Sequence, residues 1–143
     1  MPSVARHALV PFSAAQMFAL VADVKSYPEW FDWCLAAEVS SVLPNIEDAE
    51  LEISLVGLST RFSTRNVLQP PERIELSLRD GPLRDLQGSW RFKSLANKGC
   101  KVSLALSFEL SSGILDGLVQ IGFLALGDRM LDDFVRVARE RYA

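Results

Sequence analysis

Hydrophobic and polar residues alternate most clearly between Leu86 and Leu110. Leu86, Trp90 and Phe92 fall on one face with Gly88 among them, and Gln87, Ser89, Arg91 and Lys93 fall on the other. After a turn at Asn97-Lys98-Gly99 the pattern resumes, with Val102, Leu104, Leu106, Phe108 and Leu110 opposed to Lys101, Ser103, Ser107 and Glu109. A period of two is that of antiparallel strands with one buried and one wet face. Further strands are predicted over 4–10, 35–43, 49–58, 61–69 and 73–79. They are punctuated by Pro11, by Pro44, Asn45 and neighbouring acids, by Pro70-Pro71 and by Asp80-Gly81-Pro82, residues that break strands or favour turns.

Two stretches switch to helical spacing. Ser13 and Gln16 stand as a capping box, flanked by Phe12 and Met17 as a hydrophobic staple. A helix should run from there to about Asp23, with Phe18 and Val21 inward. A long helix is predicted over 114–141, where Met130, Phe134 and Val137 share a face and Asp132 and Arg136, four apart, form a supporting pair. Its first part is unusual, since 117–127 carries no charge and places glycine at 117, 122 and 127. Each such glycine costs about 1 kcal/mol of helix propensity relative to alanine. Close packing against a sheet accounts for them, and so does a locally soft helix that shifts to admit a ligand.

Between the first helix and the strands, Tyr27, Trp30, Phe31 and Trp33 crowd around Pro28. The segment is expected to form a short helical turn over 27–33, acting as a wall or lid over an apolar space. The element order is strand, helix, short helix, six strands, long helix. One helix about 10–12 Å across cannot fill the concave side of so wide a sheet. The sheet should curl around it and leave a pocket wherever large side chains do not reach. Leu55, Phe62, Leu76, Leu86, Trp90, Phe92, Leu104 and Phe108 are its candidate lining from the sheet, and Leu115, Leu118, Val119 and Phe123 from the helix. The same residues would serve equally as a filled core.

Composition narrows the function more by exclusion than by indication. The 143 residues make one domain, 1–143, with 49% hydrophobic and 23% charged residues and a net charge of −3, ordinary for a soluble globular protein. The charge is unevenly spread: residues 1–60 hold two basic and eight acidic side chains, and residues 61–110 hold nine basic and five acidic. No run is long enough to span a bilayer and no signal peptide is visible, so a cytoplasmic protein is expected. His7 is the sole histidine, which excludes a multi-histidine metal site and means that a catalytic triad would have to recruit His7 from the first strand, with no accompanying nucleophile motif. Cys34 and Cys100 form no CxxC motif, and reduced thiols are expected. No glycine-rich phosphate loop is present. Thr64 and Asn66 share a strand face with Phe62 and are the candidate polar groups of the pocket. If Phe62 and Phe92 point inward, Arg61, Arg65, Arg73, Arg79, Arg91, Lys93 and Lys101 point outward as a candidate basic face.

Three stretches carry a family resemblance: Tyr27-Pro28 through Trp33-Cys34; Gly57-Leu58 through Phe62-Ser63-Thr64-Arg65; and Pro70-Pro71-Glu72-Arg73-Ile74 through Asp80-Gly81-Pro82-Leu83 to Trp90-Arg91-Phe92. In them the chain resembles the START-like, helix-grip family of coenzyme Q-binding and polyketide cyclase-related proteins. Trp30-Phe31-Asp32 departs from the family's usual wording. The resemblance implies an α+β fold of the START/Bet v1 type, a curved antiparallel sheet of about seven strands around a long C-terminal helix. It also implies two biologies. One is non-catalytic binding of ubiquinone or a related isoprenoid lipid in support of respiration, with transient contact to the inner membrane surface and Trp30, Phe31 and Trp33 at the cavity mouth. The other, carried by the basic face, is a toxin that associates with the large ribosomal subunit and blocks subunit joining. A cyclase/aromatase-like enzyme is a third. None of these implies a metal, a catalytic cofactor or specific DNA binding.

Overall fold

A computed structural model describes residues 3–55, 58–96, 98–110 and 116–143. The alternating segments become strands β1 (Ser3–Val10), β2 (Cys34–Leu43), β3 (Ile46–Leu55), β4 (Leu58–Gln69), β5 (Arg73–Asp80), β6 (Leu83–Ser94) and β7 (Cys100–Leu110). They pair antiparallel in one sheet of order β1-β7-β6-β5-β4-β3-β2. The helices are α1 (Ala14–Ala22), α2 (Tyr27–Trp30) and α3 (Asp116–Tyr142), with a single 3₁₀ turn at Val24–Ser26. This is the α+β helix-grip architecture, with α3 lying along the concave side of the sheet.

The capping box forms as expected: the Ser13 hydroxyl accepts from the Gln16 amide at 3.0 Å, and the Gln16 side chain accepts from the Ser13 amide at 2.9 Å. Burial on β6 and β7 follows the alternation, with Leu86, Trp90, Phe92, Val102, Leu104 and Phe108 all buried. At the start of β7, Gly99 has φ +97°, and a Cβ there would meet the Val10 carbonyl oxygen at 1.9 Å, so only glycine fits. The other turn residue of interest, Asn97, lies outside the described residues, as do 56–57.

Several expectations change. The β2–β3 turn is only Pro44-Asn45, with Asn45 at φ 65°; Glu47 and Asp48, expected at the turn, sit within β3, where they pair across to β2 and β4. The short helical turn ends at Trp30, and Phe31 is already extended, because Phe31 and Trp33 turn inward onto the core. The expected Asp132–Arg136 pair gives way to Arg136–Glu140 at 3.2 Å and Arg129–Asp133 at 3.1 Å. The Arg136 guanidinium also donates to the Trp30 carbonyl oxygen at 3.2 Å, which draws it away from Asp132. The glycines of α3 divide. A Cβ on Gly122 would meet Leu55 at 2.8 Å and one on Gly127 would meet Val4 at 3.0 Å, whereas one on Gly117 would touch nothing. Close packing explains two of the three.

Candidate functional site

Two regions carry functional potential: the concave space between sheet and α3, and the outer face of the sheet. The concave space narrows to a cavity of about 90 Å³. Of the residues expected to line it, Trp33, Phe62, Thr64, Leu76, Leu86, Trp90 and Phe123 do so. Leu55, Phe92, Leu104, Phe108 and Val119 are buried but lie away from it. They point to the concave side, yet neighbouring aromatic rings fill the volume there. Phe92 stacks on Trp90 at 6.3 Å and meets Phe18 edge-on at 5.6 Å, and Phe108 packs on Phe123 at 5.6 Å. Leu115 lies outside the described residues, as does the side chain of Leu118.

The aromatic segment packs inward, with Tyr27 and Trp33 bordering the cavity. Phe31 and Trp33 are each 3% exposed and stack on each other at 4.7 Å. Phe31, Tyr27 and Trp90 all pack against Phe134 of α3 at 4.8–5.3 Å. Trp33 lines the cavity with its ring, but its indole N–H donates to Asp133 at 2.9 Å and is not available to a ligand. Trp30 lies outside the cavity, beneath the Arg141 guanidinium at 5.4 Å. The segment is a hub that clamps α3, because four large rings within seven residues bury more area against each other than they could as a lid.

The polar groups of the cavity are few. Thr64 donates to Asn66 Oδ1 at 2.7 Å, and both residues are buried. The Asn66 amide nitrogen has no hydrogen-bond partner among the described residues, yet no buried polar side-chain atom there is left unsatisfied. The nitrogen therefore opens onto the cavity that Asn66 lines. Glu47 stands at the rim, and the Tyr27 hydroxyl is committed to the Val21 carbonyl. Burial pushes the Tyr27 phenol above its ordinary range and the Cys34 thiol up to about 11, so both stay protonated and inert at neutral pH. Sequence reasoning missed Tyr27, Leu106, Leu126 and Met130 as lining. Leu106 was signalled by its place in the β7 alternation, whereas the other three depend on how α1, α2 and α3 dock.

The candidate basic face divides into two parts. On β3 and β4, Arg61 donates to Glu50 at 2.9 Å and Glu52 at 2.8 Å, and Arg65 engages Asp48 with two bonds at 2.9 and 3.1 Å. Arg79 also reaches Asp48, at 3.2 Å. The hydrogen bond from Arg65 holds the Asp48 carboxyl below its usual range, and the acids hold Arg61 and Arg65 above theirs. The acidic first third of the chain thus neutralises three of the nine cations of the basic middle by lying next to them. Toward the other edge, the side chains of Arg91, Lys93 and Lys101 have no hydrogen bond or ion pair among the described residues, and Arg73 is 3.5 Å from Glu75. Among the described residues no group of three or more His, Cys, Asp or Glu side chains could hold a metal ion, and no helix is long and apolar enough to cross a membrane.

Residues 10–135 match the family described as polyketide cyclase/dehydrase and lipid transport. The chain is 39% identical over 137 residues to the ribosome association toxin RatA of Pseudomonas aeruginosa, covering 96% of this chain and 95% of that protein. It is 28% identical over 135 residues to the mitochondrial coenzyme Q-binding protein COQ10 homolog B of Xenopus laevis, covering 92% of this chain and 55% of that protein. Among solved structures, an aromatase/cyclase from a Streptomyces species superposes with a TM-score of 0.88 at 16% identity, over 99% of this chain and 96% of that one.

Proposed function

The chain belongs to the polyketide cyclase/dehydrase and lipid transport family, and on that premise we propose that it acts by associating with the ribosome, not by covalent chemistry. The observation that carries this reading is the likeness to the ribosome association toxin over nearly the full length of both chains. The interior supports it. A catalytic site of the aromatase/cyclase kind needs acid and base groups projecting into a roomy pocket. Here the cavity holds one amide, one hydroxyl and a rim carboxylate, and its tyrosine is tied to the backbone. The large subunit, with subunit joining as the step blocked, is the target that the family resemblance implies. Co-sedimentation of the purified protein with ribosomal subunits on sucrose gradients tests it. Comigration with large subunits and a fall in joined ribosomes are expected; protein remaining at the top of the gradient refutes it.

A second reading rests on one observation, the Asn66 amide that faces an apolar cavity without a partner among the described residues. Such a donor suits a carbonyl or hydroxyl oxygen on an otherwise apolar molecule, as on a quinone ring. The present space of about 90 Å³ is smaller than the ~150 Å³ that admits a benzene in an engineered cavity, so an isoprenoid ligand requires α3 to move. Native mass spectrometry and organic extraction of protein purified from its own host decide this. A bound quinone or lipid that is absent from Asn66→Leu supports it, and an empty wild-type protein that refuses added ubiquinone refutes it.

A further inference from the structure

We propose that the outer corner of the sheet formed by the ends of β5, β6, β7 and β1 is a docking surface for the phosphate backbone of folded RNA. The inference rests on the ribosome reading and specifies the chemistry by which the contact is made. Strand register assembles the corner from residues far apart in sequence. One cross-strand row runs Arg73, Arg91, Ser103, His7, and the next runs Lys93, Lys101, Leu9. Neighbouring strands are about 4.8 Å apart and alternate residues on a strand about 6.8 Å apart, so these cations fall within one compact patch. Lys98, in the turn that joins β6 to β7, extends it.

Three features set this corner apart from the rest of the sheet. Arg91, Lys93 and Lys101 are not neutralised by carboxylates among the described residues, in contrast to Arg61 and Arg65 on β4 and Arg79 at the far end of β5. Glu72 and Glu75 are the acids that border it, and Glu75 is already engaged with Arg73 and with the Ser89 hydroxyl. An unpaired cluster of this kind costs self-repulsion in the free protein; a polyanion would relieve it by exchange for condensed counterions. The outer face here carries no aromatic ring on which an unpaired base could stack: the aromatic residues of β6 and β7, Trp90, Phe92 and Phe108, are all buried on the other side. Recognition therefore falls on backbone phosphates and shape, the mode suited to structured RNA, and not on single-stranded bases. Leu9, 70% exposed beside Lys101 on the edge strand, adds an apolar contact at the margin of the cationic patch.

The experiment compares three proteins: wild type, Arg91→Glu/Lys93→Glu, and Arg61→Glu/Arg65→Glu on the charge-paired ladder, which changes formal charge equally. Each is titrated against large ribosomal subunits and against the same subunits' RNA freed of protein, over a salt series. All four residues are on the solvent face, and a milder Arg91→Gln/Lys93→Gln variant serves if the double reversal impairs folding. The expected result is a tenfold or greater fall in affinity for both targets in the corner variant. Its slope of log affinity against log salt should flatten by about 1–2, at about 0.9 for each phosphate that is no longer neutralised, with little change for the ladder variant. Equal weakening in both variants, or none in the corner variant while wild type binds subunits, overturns the corner and leaves ribosome association standing. Binding to subunits but not to their RNA overturns the RNA assignment in favour of a ribosomal protein. Binding only to vesicles containing anionic lipid, abolished in the corner variant, moves the surface to a membrane. No wild-type binding to subunits at all overturns the ribosome reading beneath it.

Discussion

Helix α3 is held in different ways along its length. From Arg129 onward it is locked. Phe134 sits at the centre of Tyr27, Phe31 and Trp90, Arg129 bridges Asp32 and Asp133, and Arg136 and Arg141 grip Trp30. Tyr142 closes the end by donating to the Gln16 carbonyl at 3.2 Å. From 117 to 127 the helix has no ion pair among the described residues until Asp128 meets Arg6, and its Phe123, Leu126 and Gly127 border the cavity. The contrast shows how one helix can stabilise a fold and still leave space beside it. Dense aromatic packing fixes one end, so the other need not be filled.

The sharpest way to break this contrast is to remove its centre. Phe134→Ala should cost about 3–5 kcal/mol, the range for a fully buried phenylalanine, read as a shifted denaturant midpoint. Leu126→Ala, at the cavity wall, should fall at the low end of the ~2–5 kcal/mol range for leucine truncations, because that side chain already lacks neighbours on one side. Equal costs at the two sites would mean that the ends of α3 are packed alike.

Raising the pH tests the hub more gently. Burial holds the Tyr27 phenol and the Cys34 thiol above their ordinary values, Cys34 at about 11. The unfolded chain ionises both groups first, so it releases protons that the folded chain retains. The stabilisation is complete below about pH 8.5, where a free thiol is protonated, and is lost as pH climbs toward 11. The thermal midpoint should fall over that window, and Cys34→Ala should remove part of the fall. A midpoint flat from pH 8 to 11 would contradict the burial of both groups.

The smallest effects separate the glycines. Gly117→Ala should stabilise by up to about 1 kcal/mol, since its Cβ would meet nothing and alanine is the better helix former. Gly122→Ala should destabilise despite the same gain in propensity, because its Cβ would lie 2.8 Å from Leu55 Cβ. Paired thermal melts decide the sign of each, and stabilisation at both positions would show that Leu55 yields easily.

The fold was legible in the sequence wherever a local period carried it. The β6–β7 alternation, the Ser13–Gln16 box and the amphipathic end of α3 each encode their element within a dozen residues. The candidate site was only partly legible. That Phe62, Thr64, Trp90 and Leu86 face the same space follows from strand parity. That Phe92 and Phe108 face it too, yet do not border the cavity, depends on which rings meet them from Phe18 and Phe123. The packing of the aromatic segment was illegible for the same reason. Composition gives the area that four rings can bury, but not what they bury it against.

Charge gives the clearest division between the two levels. An acidic first third, a basic middle, and basic residues on the outward parity of their strands are written in the chain, because side-chain direction along a strand is a local property. Which of those charges meet is set by the folded sheet. Register laid Asp48 beside Arg65 and Glu52 beside Arg61, and brought Arg73 beside Arg91 and Lys93 beside Lys101, where Glu75 pairs with Arg73 alone. Coulomb interactions depend on separations of a few ångströms, and those separations are set by strand order and register, which no single stretch of sequence contains.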